Sequence, residues 1–485
     1  MPEKILQRTS FYKTLPAAIS RWRYAKVPLN NASTSSVTAY PTSTTLMEWK
    51  IPSLTVCNIS RSFVQYQYTI PGVAQTYACV FEGACDLAQT VNFSDGSGLS
   101  IVNLENADAY VNVVRPINTT FPEFQSLDKL SGLNPCNQLA STNYLPYSLD
   151  GLAFVENPPA GSMNQPSVNY LEQQYLSIQS TQGASLNVNR QFPLSAFKDT
   201  FLGIDKNFVS AKDVYLRIYT NYLTRMYGYN NSATVFSNTS WTAPTGSLTL
   251  QNVVLFLAIE ENLTVRENLF HLLAHGGLRY SIPYVYPFRS SSIAGNSVFN
   301  GQYTITNSLG RNLKRVLWAP FDANQFLNGA FDHSNVNGTK VKNYQFFLDS
   351  RPLTDELINA FNPNNLVINP NAYTINQLNT FGADYRESQK YLRGSTIQSY
   401  TVFQTNWSAV QQFGVVEHLD NASTENLPPS NIDDGIPLNQ GDHIFTIQAN
   451  LNTTVGAYTS GFIHYIWFFF QRSLAFTTNG IELYG

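Results

Sequence analysis

Along much of the chain apolar side chains recur at every second position, the spacing of a strand half-buried in a sheet. Val64, Tyr66, Tyr68 and Ile70 alternate with Phe63, Gln65, Gln67 and Thr69. Val214, Leu216 and Ile218 alternate with Tyr215, Arg217 and Tyr219, and Val253, Leu255, Leu257 and Ile259 with Val254, Phe256, Ala258 and Glu260. The same reasoning predicts strands over residues 47–57, 77–82, 99–104, 278–288, 313–318, 344–348, 394–410, 444–451 and 462–476. Asn479-Gly480 then supplies a tight turn before Ile481 and Leu483. Residues 462–470 (FIHYIWFFF) are apolar at almost every position, which predicts a strand covered on both faces.

Helical spacing is rarer. Pro193 suits a first turn, Leu194, Phe197 and Phe201 fall on one stripe, and Gly203 predicts a left-handed ending, so a short helix is expected there. Ala107, Tyr110, Val111 and Val114 form a stripe stopped by Pro116. Thr264 with Glu267, and Thr374 with Gln377, read as capping boxes for helices carrying Leu269, Leu272 and Leu273, and Ile375, Leu378 and Phe381. Gly276-Gly277 would close the former, and Gly394 sets an outer limit for the latter.

The stretch 190–229 closes one β-rich unit, and the turn-rich residues 230–246 separate it from the next. The expected division is an N-terminal arm and connector over 1–46, a first unit over 47–235 and a second over 236–485. Residues 28–46 hold almost no large apolar side chain and read as a connector. Residues 117–190 and 417–442 read as long loops, a class that usually carries function or is disordered.

Composition narrows the function. Charged residues are 13% of the 485, about half the globular norm near 25%, and the formal net charge is −3. A global attraction to nucleic acid is therefore excluded, and any such contact must be local. The one basic bias lies in residues 1–26, where Lys4, Arg8, Lys13, Arg21, Arg23 and Lys26 face Glu3 alone. Cys57, Cys79, Cys85 and Cys136 match no zinc or redox spacing and read as buried thiols. MPEKILQRTSFYK lacks the apolar core, about 7–15 residues, of a secretory signal. The longest apolar run is far short of the roughly 20 residues that a membrane helix needs.

The search for chemistry predicts no catalytic, cofactor-binding or metal-binding residues, and no enzyme. GxGxxG, GxxxxGK[ST] and GxSxG arrangements are absent, and Asp95-Gly96-Ser97-Gly98 is turn chemistry. Glu260-Glu261 would face opposite sides of a strand, and Asp433-Asp434 sits in a loop. Glu267, His271 and His275 share a helix face at a spacing able to chelate zinc. HExxH is absent, because Leu272 and Leu273 stand between the histidines, and a hydrogen-bonded polar face is the expectation there.

Two segments carry a family resemblance. QFPLSAFKDTFLGIDKNFVSAKDVYLRIYTN resembles the end of the first barrel in double jelly-roll major capsid proteins of the adenovirus-related DNA virus lineage. HYIWFFFQRSLAFTTNGIELYG is similar to the end of their second barrel, and the chain length matches the polinton-like virus and virophage members. The resemblance implies a mainly β chain of two tandem eight-stranded antiparallel jelly-roll barrels with short inserted helices and long loops. It further implies a homotrimer forming a pseudo-hexagonal capsomer of an icosahedral virion. The expected partners are copies of the chain, penton and minor capsid proteins, and an internal membrane or the genome through the basic arm. No cofactor and no small-molecule substrate are expected. The alternatives are a viral spike or fibre, or a lectin-like jelly-roll binding protein, and after these a carbohydrate-active β-sandwich enzyme.

Overall fold

The computed structural model describes residues 20–80, 87–111, 178–231, 241–291, 293, 298–306, 312–322, 341–353, 357–359, 415–418, 436–438, 441–451 and 461–484. Apart from the helix Leu263–His275, a helical segment at 107–111 and a few short turns, the regular elements among them are strands, gathered in antiparallel sheets.

The first half rests on the long strand Cys57–Ile70, whose Val64, Tyr66, Tyr68 and Ile70 are buried as their alternation predicts. On one side it pairs with Leu186–Pro193, and on the other with Leu248–Glu260. Leu248–Glu260 in turn pairs with Trp22–Val27 and with Val37–Ala39, and Asn207–Phe208 joins the long strand as the sixth member of the sheet. A second sheet has the order Leu46–Ile51, Val214–Thr220, Ala88–Asp95, Ser100–Glu105. Val214, Leu216 and Ile218 point into the core while Tyr215, Arg217 and Tyr219 are half-buried. A small sheet of Tyr77–Val80, Ile178–Gln179, Tyr227–Asn230 and Trp241–Thr242 joins them.

The second half has two sheets. Leu278–Arg289, Phe462–Thr477, Asn312–Asp322 and Val415–His418 form one, with Gly480–Tyr484 and Ile436–Pro437 added at its margins. Pro283 and Pro287 fall on Leu278–Arg289, an edge strand of this sheet, where a missing N–H leaves the ladder intact. Val298–Ile305, His443–Leu451, Val341–Leu348 and Arg351–Pro352 form the other, with Ile358–Asn359 off its side.

The strand Phe462–Thr477 belongs to both halves. Phe462, Ile466, Phe468 and Phe470 pack into the second core with Trp318, Phe346 and Phe445. Ile463, Tyr465, Trp467 and Phe469 face the other way, into the cluster that contains Trp49, Phe93 and Leu216 of the first. It is buried on both faces, as its unbroken apolar run predicts.

Several expectations need correction. Leu248–Glu260, placed by the 236–485 division in the second unit, is hydrogen-bonded into the first sheet. Its alternation identifies a strand, but its partners lie almost two hundred residues back along the chain. The expected helix over 193–203 is two separate 3-10 turns, Leu194–Ala196 and Phe201–Gly203. Asp199 adopts φ 58°, which interrupts helical hydrogen bonding between them. Gly203 does not end a left-handed turn; a Cβ there would stand 2.7 Å from the Phe197 carbonyl oxygen, so glycine permits a close approach.

The helix Leu263–His275 is capped by Asn262, whose side chain accepts from Thr264 N and Val265 N, and not by a Thr264–Glu267 box. Gly277, at φ 75°, closes it as expected. Within the connector, Leu29, Val37 and Ala39 are buried and Val37–Ala39 is a strand. Ala88–Asp95, Leu186–Pro193 and Val298–Ile305 are strands that the pattern did not predict. Residues 107–111 are helical, with Ala107, Tyr110 and Val111 buried. Residues 112–177, the Thr374 helix, the 394–410 strand and Asp433-Asp434 lie outside the described residues.

Candidate functional surfaces

The basic N-terminal bias ends in a clamp. Arg21 and Arg23 both pair with Glu261, at 3.4 and 3.3 Å. The neighbouring Glu260 is fully buried, and its Oε1 accepts from the Arg21 and Asn262 backbone N–H groups at 2.8 and 2.9 Å. Its Oε2 accepts from Asn207 Nδ2 at 2.6 Å, and Asn207 Oδ1 accepts from the Trp22 indole N–H at 3.0 Å. The Arg61 guanidinium lies 4.1 Å over the Trp22 ring and is itself paired with Asp205. Tyr280, on the first strand of the second half, donates to the Asn207 carbonyl at 2.9 Å. Adjacent carboxylates thus diverge as the strand period requires, one into a buried polar network and the other onto the surface. Both are committed to fixing the Trp22–Val27 strand.

Outside that clamp the six-stranded sheet carries an aromatic row. Tyr24, 52% exposed, stands 5.5 Å from Phe63, which stacks on Phe256 at 4.9 Å, with the Lys26 ammonium 5.7 Å from the Phe256 ring. Gln65, Gln67 and Val254 continue this face. Tyr215 and Tyr219 are half-buried, and Arg217 lies 5.0 Å over Tyr215 while pairing with Glu48 at 2.6 Å. That pairing holds the Glu48 carboxyl below its usual range against the opposing effect of burial.

The seam between the halves is aromatic, with an ionic pair close by. Tyr110 packs edge-on against Trp467 at 6.0 Å and tilts against Phe469 at 6.4 Å. Nearby Asp108, 6% exposed, pairs with Arg225 at 3.0 Å and accepts from Asn221 Nδ2 at 2.8 Å. A cavity of about 450 Å³ is lined by Thr90, Glu105, Tyr286 and Arg289 among others.

Inside the second half His464 is fully buried, with its Nε2 2.6 Å from the Tyr303 hydroxyl. Burial pushes its pKa down to about 3, so the ring is neutral at ordinary pH. On the outer face of the helix, His271 and His275 are exposed and stacked, with centroids 4.1 Å apart. Among the described residues no group of three or more His, Cys, Asp or Glu side chains gathers as a metal site would. Cys57 is a buried free thiol whose pKa burial raises. Among them, too, no helix is long and apolar enough to cross a membrane.

No family model matches the chain, and no curated protein does. Solved structures do. A chain of the Sputnik virophage, solved by cryo-EM, is 12% identical over 96% of this chain and 89% of its own, with a TM-score of 0.53. The Faustovirus major capsid protein is 10% identical over 95% and 91%, and a chain of the PBCV-1 virus capsid 10% identical over 98% and 100%, each at a TM-score of 0.50. At such identities the likeness is one of fold: a mainly β, double jelly-roll architecture.

Proposed function

We propose that this chain is the structural subunit of an icosahedral viral shell, a major capsid protein that trimerises into pseudo-hexagonal capsomers. The observation that carries the reading is the match in fold over nearly the whole length of both the chain and the Faustovirus major capsid protein. Each half would complete an eight-stranded barrel, and the shared strand Phe462–Thr477 would hold the two barrels side by side.

Further features support it. A shell subunit must cover wide side walls with copies of itself, and the neutral, aromatic face of Tyr24, Phe63 and Phe256 suits such a contact. The low charge of the chain limits repulsion between packed copies. No catalytic step is assigned, because Glu260 is committed to hydrogen bonds within the fold and His464 is buried inside the second half. Residues within 117–190 and 417–442 would build the outer tower and the clasps between subunits. Residues 1–19 would reach inward to an internal membrane or the genome, since Arg21 and Arg23 are already paired. Penton and minor capsid proteins would complete the virion.

The test is the assembly state of the full chain. Light scattering coupled to gel filtration should give three times 54.3 kDa, and negative-stain images should show hexagonal particles or closed shells. Monomers that are retained on an immobilised sugar, or that cleave a glycan, would overturn the proposal.

A further inference from the structure

We propose that His271 and His275 form a two-histidine site for a borderline-soft divalent transition metal, Cu²⁺, Ni²⁺ or Zn²⁺, on the outer face of the helix Leu263–His275. The two residues stand four apart in the last turns of a helix whose inner stripe, Val265, Leu269 and Leu273, is buried against the protein. Both rings therefore project outward, and both residues are exposed. They lie face to face with centroids 4.1 Å apart and planes 17° from parallel, within reach of one shared ion once a ring turns out of the stack.

The protonation of one ring is set by the backbone. His275 Nδ1 stands 2.9 Å from the His271 carbonyl oxygen, which can only accept, so Nδ1 carries the hydrogen and the neutral ring presents the lone pair of Nε2 to solvent. This is the arrangement in which histidine usually ligates metals, with one nitrogen held by an oxygen acceptor and the other on the ion. Two Nε2 atoms sharing an ion at about 2.0–2.1 Å need to be roughly 3 Å apart. Both side chains are exposed and four apart on the helix, so the His271 ring can turn out of the stack and aim its nitrogen at an ion held by His275 Nε2 without moving the helix.

Imidazole pairs suit copper, nickel and zinc and not calcium or magnesium, which take oxygen ligands. No third protein ligand gathers at the pair among the described residues, so water fills the remaining positions and the affinity is that of a chelating pair.

The experiment uses the full, untagged chain, stripped with chelator, and titrated calorimetrically with Cu²⁺, Ni²⁺ and Zn²⁺ salts and with Ca²⁺ and Mg²⁺ as controls. The expected result is one saturable site, tightest for Cu²⁺, that weakens about tenfold or more in His271→Ala and in His275→Ala. His443→Ala, which removes an imidazole held by Asp349, should leave it unchanged. Electron paramagnetic resonance of the Cu²⁺ form should report two imidazole nitrogens in the native chain and one in either variant. Absence of saturable binding, or binding that survives both substitutions, overturns the proposal. Circular dichroism of the variants, whose altered positions are exposed, verifies that the helix is kept.

Discussion

His464 and Tyr303 meet inside the second half through a 2.6 Å contact between Nε2 and the phenolic oxygen, and neither can gain a charge there cheaply. Burial lowers the imidazole pKa to about 3 and raises that of the phenol. In the unfolded chain the same imidazole protonates near 6.5. Between those values the unfolded state holds the extra proton, so stability falls as pH drops through that window and levels off below it.

His464→Phe should therefore flatten the decline in stability between about pH 6 and pH 4, whatever it does to stability at neutral pH. The native chain should lose on the order of a few kcal/mol more than the variant across that range. Urea melts at stepped pH measure the difference. The lowered carboxyls of Asp213 and Asp349, each held down chiefly by a hydrogen bond from its partner, Lys50 or His443, act with the same sign. Their contribution is present above the ordinary carboxylate pKa and disappears only as the pH falls beneath it.

Asp108→Ala should destabilise the chain by about 1–3 kcal/mol, since it removes the buried carboxylate that pairs with Arg225 and accepts from the Asn221 amide. The surface pair Lys50–Asp213, with side chains 42% and 31% exposed, should contribute far less when Asp213 is replaced by Ala. Equilibrium denaturation of the two variants side by side gives the contrast.

Trp467→Ala should cost about 3–5 kcal/mol, because a fully buried indole between the halves leaves a void that its strand cannot close. Calorimetric scans would register it as a single lowered transition, not as the loss of one of two.

Asn262→Ala should lower stability by about 1 kcal/mol through the lost cap, whereas Thr264→Ala should change it by far less. Thermal melts of the two variants distinguish the observed cap from the box that the sequence suggests.

Those contrasts mark what local pattern can carry. The alternations at Val64–Ile70 and Val214–Ile218, and the apolar run at residues 462–470, are visible because each strand has one or two dry faces. Ala88–Asp95 escaped because its inner row holds just two large apolar residues, Val91 and Phe93, between Gln89 and Asp95, and Val298–Ile305 because Gly301 interrupts its inner row and Val298 is exposed. The assignment of Leu248–Glu260 was beyond local pattern altogether, since period two reveals a strand but not its neighbours. Among candidate groups, Glu260 and Glu261 diverge as their adjacency predicts. The clamp through Asn207 and Trp22 joins residues far apart in sequence, and no spacing announces it.

The strand Phe462–Thr477 follows nearly all the others along the chain, yet it lines two interiors. On the ribosome, then, neither half can finish its interior before this segment emerges. Until that moment Trp49's cluster and Trp318's cluster both stand open on one side, and the nascent chain depends on chaperones, or on speed, to reach its last wall unaggregated.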